Sequence, residues 1–85
     1  MSLQELFLEA VANSKTLSEK PDNDTLLKLY ALYKQATEGD NKEEGPSNMF
    51  DFVAKFKHEA WVKLQGLAKE SAMQQYIDLV KELKG

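Results

Sequence analysis

Tyrosine and lysine side chains recur at helical spacing between Tyr30 and Asp40, in the run YALYKQATEGD. At about 100° per residue, Tyr30, Tyr33, Lys34 and Thr37 share one arc of a helix, and Leu29, Leu32 and Ala36 share the arc beside it. The aliphatic arc suits packing against neighbouring helices. The aromatic and cationic arc offers π surface, hydroxyl groups and a positive charge, a set that packing alone does not require. Its chemistry suits a ligand that carries both a ring and phosphates. Tyrosines at the edge of a small helical core present the same pattern, so the spacing alone leaves both roles open.

A second cation stands among apolar neighbours, because Lys57 falls within the arc formed by Val53, Ala60, Trp61 and Leu64. A lone lysine there can lay its methylenes on apolar surface and keep its ammonium in water. Paired with Lys34, it could instead converge on one phosphate, provided that the second and third helices are neighbours. Catalytic chemistry has no comparable support. His58 is expected off the apolar stripe as a solvated residue, and Ser71 and Thr37 lack the histidine, carboxylate or glycine elbow that would activate a hydroxyl. No catalytic residue is assigned, and the chain is not expected to be an enzyme.

These side chains need helices to hold them, and four helical segments are legible. Ser2 with Glu5 forms a capping box ahead of Leu3, Phe7, Ala10, Val11 and Ser14, with an end expected near Leu17. Pro21 and the polar group Asp22 to Thr25 open a second helix that runs to about Glu38, where Gly39 suits a left-handed end. The stretch from Asp40 to Asn48, with Gly45 and Pro46, is expected as the longest loop, its acids Glu43 and Glu44 solvated. A third pattern spans roughly Phe52 to Gln65, with Val53, Phe56, Ala60, Trp61 and Leu64 along one stripe. A fourth runs from about Lys69 to Leu83 on Ala72, Met73, Tyr76, Ile77, Val80 and Leu83. No segment alternates as a half-buried strand does. The expected fold class is therefore all-α, as a single domain over residues 1–85.

Composition narrows the function further. An 85-residue chain buries a limited core and supports a deep enzyme-style cavity poorly. The absence of cysteine removes disulfides, thiolate zinc sites and thiol nucleophiles together, and no metal or cofactor is expected. A net charge of −3 argues against nucleic-acid binding and leaves anion capture to local lysines. The amino-terminal apolar residues are interrupted by Gln4, Glu5 and Glu9 and follow no basic segment, unlike a signal peptide. No apolar run approaches the roughly 20 residues that span a bilayer, so a cytoplasmic location and a monomeric state are the default expectations.

Taken together, Phe7 and Val11, Lys20 with Pro21, YALYKQATEGD, DFVAKFKHEAW and AMQQYIDLVKEL resemble the acyl-CoA-binding protein family along nearly the whole chain. The run YKQAT followed by Gly39 and Asp40 is the most specific part. The resemblance implies a four-helix up-down-down-up bundle with a shallow bowl for the CoA head group, folded over the fatty acyl chain. It further implies that Tyr30 and Lys34 surround the adenine and its 3′-phosphate, that Lys57 contacts phosphate, and that Tyr33 and Tyr76 complete the site. Lys15 resembles another basic contact, while Leu26, Leu27 and Val11 match positions along the base or the acyl path. Phe7, Leu17, Pro21 and Trp61 match structural positions.

The chain departs from the family pattern at Val53, where another lysine is usual, at Phe56, where a small residue is common, and at His58, where many members carry tryptophan. The loop has Glu44, Gly45, Pro46 and Ser47 where Arg-Pro-Gly is frequent, and the tail after Leu83 is shorter than usual. The expected function is reversible binding, transport and buffering of medium- to long-chain acyl-CoA, with acyl-CoA-using enzymes or membranes as transient partners. Burial of each methylene, at roughly 0.8 kcal/mol, makes affinity climb with chain length. A small helical protein-interaction module is the competing reading, recognisable by an exposed apolar patch and indifference to nucleotide.

Overall fold

Short acceptors ahead of each of the first three helices satisfy the free amides of the first turn. In the computed structural model, which describes residues 1–42 and 50–84, α1 (Leu3–Ser14) starts on Ser2, whose Oγ accepts from the Glu5 amide at 3.1 Å. The Glu5 carboxylate completes the capping box by accepting from the Ser2 backbone and hydroxyl. Asp22 caps α2 (Asn23–Glu38) by accepting from the Thr25 amide at 2.8 Å, and Asp51 caps α3 (Phe52–Val62) through the Ala54 amide at 3.0 Å. Hydrogen bonds from the Thr25 side chain and then its amide hold the Asp22 carboxyl below the ordinary aspartate range. The fourth helix, α4, spans Lys69–Lys84. Among the described residues there is no strand, as the periodicity led us to expect.

Two helix ends differ from the sequence-based expectation. The first helix stops at Ser14, not near Leu17, because Ser14 Oγ donates to the Val11 carbonyl and Thr16 Oγ1 to that of Asn13, while the chain tightens into a turn. The third stops at Val62, not Gln65: Leu64 and Gln65 donate to carbonyls three residues back, and Gly66 turns the chain at φ +91°. At the end of α2, Gly39 takes φ +81° and ψ −150°, a region essentially closed to residues with a Cβ. The expected Gly45–Pro46 turn and the solvated acids Glu43 and Glu44 lie outside the described residues.

Helix α1 packs on α4, α4 on α2, and α2 on α3. The core joins Phe7 and Ala10 of α1, Leu29, Leu32 and Ala36 of α2, and Ala72, Tyr76, Ile77 and Val80 of α4. Extents of 40 × 28 × 15 Å make the molecule flat, about two packed helices deep in its thinnest direction. The C-terminal end of α2 meets the start of α4, since the fully buried Gln35 donates to the Leu67 carbonyl at 2.7 Å and to Asp40 Oδ1 at 2.9 Å. Asp40 also accepts from the Gly66 amide at 2.8 Å. That backbone hydrogen bond, followed by the one from Gln35, lowers its pKa. Trp61, 3% exposed, donates from Nε1 to the Gly39 carbonyl at 2.9 Å and ties the end of α3 to the end of α2.

Because, among the described residues, α2 is the one helix that α3 packs on, the expected apolar stripe of α3 is buried only toward its end. Val53 and Phe56 are 64% and 50% exposed, whereas Trp61 is enclosed. His58 differs from expectation too: it is half-buried, with Nδ1 3.0 Å from the Asn41 side-chain amide.

Candidate functional site

Residues four apart lie on one face of a helix, and α2 and α3 each present such a pair to the other. The Lys57 ammonium lies 5.2 Å from the centre of the Tyr30 ring, and the Lys34 ammonium lies 5.0 Å from that of Trp61. Each helix thus supplies one cation and one aromatic ring, exchanged across the seam on successive turns. Tyr30 precedes Lys34 as Lys57 precedes Trp61, so this register requires the two helices to run parallel. Both lysines therefore stand on one seam, a helical turn apart. Lys34 also forms an ion pair with Glu38 one turn further along α2.

A concavity of about 320 Å³ opens beside this seam, between α1, α2 and α4. Val11, Lys15, Leu26, Tyr30, Tyr33 and Tyr76 all line it, which brings six of the expected site residues together. Its floor is an aromatic cluster. Phe7 stacks on Tyr33 at 6.0 Å and meets Tyr76 edge-on at 5.2 Å, with Tyr33 40% exposed above the buried pair. The Tyr76 hydroxyl donates to Ser14 Oγ at 3.1 Å, so its ring is fixed from both ends.

Leu26 also lines a second concavity of about 490 Å³, between the first turns of α2 and α3, together with Leu27, Val53, Phe56 and Lys57. Its walls are chiefly aliphatic and aromatic, with Asn23, Asp24 and Lys57 as the polar members of the lining. An aromatic, cation-edged hollow therefore adjoins an apolar trough, the two sharing Leu26 as a common wall. Lys34 lines neither hollow and lies along the seam beyond Tyr30. Thr37, on the same arc as the tyrosines, turns its hydroxyl back to the Tyr33 carbonyl at 2.8 Å.

The sequence reading did not assign Ser14 to the site, although the residue both lines the tyrosine hollow and anchors Tyr76. A serine at the last position of a helix is an ordinary terminating residue, and only its contact across 62 positions reveals the second role. Val53 and Phe56 were legible as departures from the family pattern, but their place as trough walls depends on how α3 sits on α2.

A concave surface that joins a few polar and aromatic groups to an apolar lining is the usual form of a small-ligand site. A family model described as "Acyl CoA binding protein" matches residues 4–80. The acyl-CoA-binding protein homolog 1 of Caenorhabditis elegans is 52% identical over 77 residues, spanning 91% of this chain and 88% of that protein. The acyl-CoA-binding protein of Saccharomyces cerevisiae is 46% identical over 81 residues, spanning 95% of this chain and 92% of its own length. The crystal structure of Oryza sativa Acyl-CoA-Binding Protein 2 superposes with a TM-score of 0.90 at 41% identity, covering 96% of this chain and 90% of that one. This chain belongs to the acyl-CoA-binding protein family. Its architecture is the all-α bundle of that family, in the expected up-down-down-up arrangement.

Proposed function

We propose that this protein reversibly binds medium- to long-chain fatty acyl-CoA esters and serves as their carrier and buffer. The carrying observation is the paired exchange across the seam, with Lys57 over Tyr30 and Lys34 over Trp61, beside a tyrosine hollow that shares a wall with an apolar trough. Lys34 and Lys57 neutralise head-group phosphates, with Lys15 as a further cation at the rim of the hollow. Tyr30 and Tyr33 offer π surface to the adenine, while Tyr76 fixes the floor. Val11, Leu26 and Leu27 line the route of base and acyl chain.

Each ammonium–phosphate contact at 4 Å contributes about 1 to 4 kcal/mol before desolvation, as the effective dielectric falls from 80 to 20. Free fatty acid lacks that anchor. The acyl chain, laid in the trough, adds roughly 0.8 kcal/mol per buried methylene and is withdrawn from water. No step of bond making is required, and the thioester is released unchanged.

Calorimetry with palmitoyl-CoA, CoA and palmitate tests the reading. Palmitoyl-CoA is expected to bind one-to-one and tightest, CoA more weakly, and palmitate weakest. Failure of all three to bind folded protein removes the carrier function; equal binding of palmitate and palmitoyl-CoA removes the head-group mechanism. The exposed Phe52, Val53 and Phe56 favour a second reading, a helical interaction module. It requires partner binding that is indifferent to acyl-CoA, whereas the carrier reading has the acyl chain itself cover Val53 and Phe56.

A further inference from the structure

Phe56 lies on a boundary. Together with Leu27 and Asp24 it lines the trough of about 490 Å³, and the same three residues line another concavity of about 320 Å³ between α2 and α3. On one side the trough is walled by Leu26 and Val53; on the other, Ala60 and Leu64 offer apolar surface on the next turns of α3, flanked by the charged Lys28, Glu59 and Lys63. The Phe56 ring is half exposed, so it is not a member of the core. Phe56 is the largest of the three side chains common to both spaces.

We infer that Phe56 is the end wall of the acyl trough and sets the longest chain that the protein shelters. This rests on the acyl-CoA reading above. A chain laid in the trough runs along Leu26 and Val53 and is stopped by the Phe56 ring. Methylenes up to that point leave water, each tightening binding about fourfold. Methylenes beyond it stay hydrated and add nothing. Removing the ring joins the two concavities, so that a longer chain continues onto Ala60 and Leu64.

The test is a calorimetric series of saturated acyl-CoA esters from octanoyl to eicosanoyl, with wild type, Phe56→Ala and Phe56→Trp. Loss of the ring also removes wall contact at every length, so the informative quantity is the chain length at which affinity stops rising. In the wild type a rise of about fourfold per methylene is expected to end within the series. In Phe56→Ala that break shifts to longer chains, by two methylenes or more; in Phe56→Trp it shifts to shorter ones. Affinity for CoA without an acyl chain is measured for each protein as the baseline of its own series, and thermal melts check that each variant is folded. A break at one common length in the three proteins, or no break at all in the wild type, overturns the end-wall role while leaving acyl-CoA binding intact. Absence of palmitoyl-CoA binding by the wild type overturns both.

Discussion

Replacing Lys34 by glutamine separates what this lysine does for the fold from what it does for a ligand. In the free protein its ammonium has the Trp61 face at 5.0 Å and the Glu38 carboxylate one turn along α2, with its side chain 24% exposed. The cation–π contact contributes about 0.5–1 kcal/mol and the i,i+4 pair about 0.3–0.5 kcal/mol. Folding should therefore lose about 1 kcal/mol, a fall in Tm of roughly 4–8 °C for a chain of this size. Binding should lose more. A phosphate 4 Å from the ammonium gains about 1–4 kcal/mol, less the few tenths needed to draw Lys34 from Glu38, so CoA affinity is expected to drop by about 3-fold at the least and about 400-fold at the most.

Titration calorimetry with CoA at low and at physiological salt measures the effect. The wild-type affinity should fall with salt, because screening weakens the attraction between ammonium and phosphate, and the variant should show a shallower slope. Glu38→Gln provides the opposite arm. It removes one carboxylate that competes for Lys34 and should tighten CoA about twofold, an advantage that vanishes when Lys34 is already glutamine. If Lys34→Gln melts as a folded protein yet binds CoA as tightly as the wild type, the seam does not hold the phosphates.

Three further substitutions test the frame that positions the seam. Gly39→Ala forces a Cβ into a backbone region of positive φ and brings it 3.3 Å from Lys69 Cε, so a loss of about 1–3 kcal/mol is expected in thermal or urea unfolding. A melt indistinguishable from wild type would count against that strain. Trp61→Phe removes the donor to the Gly39 carbonyl and should cost about 0.5–1.5 kcal/mol, with CoA binding weakened in step if the α2–α3 register matters. Asp40 carries a pKa lowered first by the Gly66 amide and then by Gln35. Its contribution to stability is thus complete above the unfolded aspartate value near 4 and disappears as pH falls through the lower folded value. Urea midpoints between pH 6 and pH 2 should therefore fall more steeply in wild type than in Asp40→Asn, and equal slopes would contradict the assignment.

Local chemistry made the helices legible before any coordinates. Ser2, Asp22 and Asp51 stand immediately before the turns they cap, and apolar side chains at spacings of three and four mark the faces of α1, α2 and α4, because hydrogen bonds and neighbours within a helix lie within four residues. The run from Tyr30 to Asp40 likewise displayed its aromatic and cationic arc. Sequence alone therefore determined four amphipathic helices, the family, and a set of side chains suited to a phosphorylated ring.

Only the tertiary structure decided where those side chains meet. Lys57 sat in an apparently apolar arc, yet it reaches Tyr30 because α3 packs on α2 and nothing closes its other faces among the described residues. The same packing leaves Val53 and Phe56 exposed as trough walls, although their spacing matches that of the enclosed Trp61. Ser14 reaches Tyr76, Asp40 reaches Gly66, and Trp61 reaches Gly39 across separations of 62, 26 and 22 residues. Periodicity records which face of a helix is apolar but not which partner covers it, and that choice follows from how the chain as a whole buries its core.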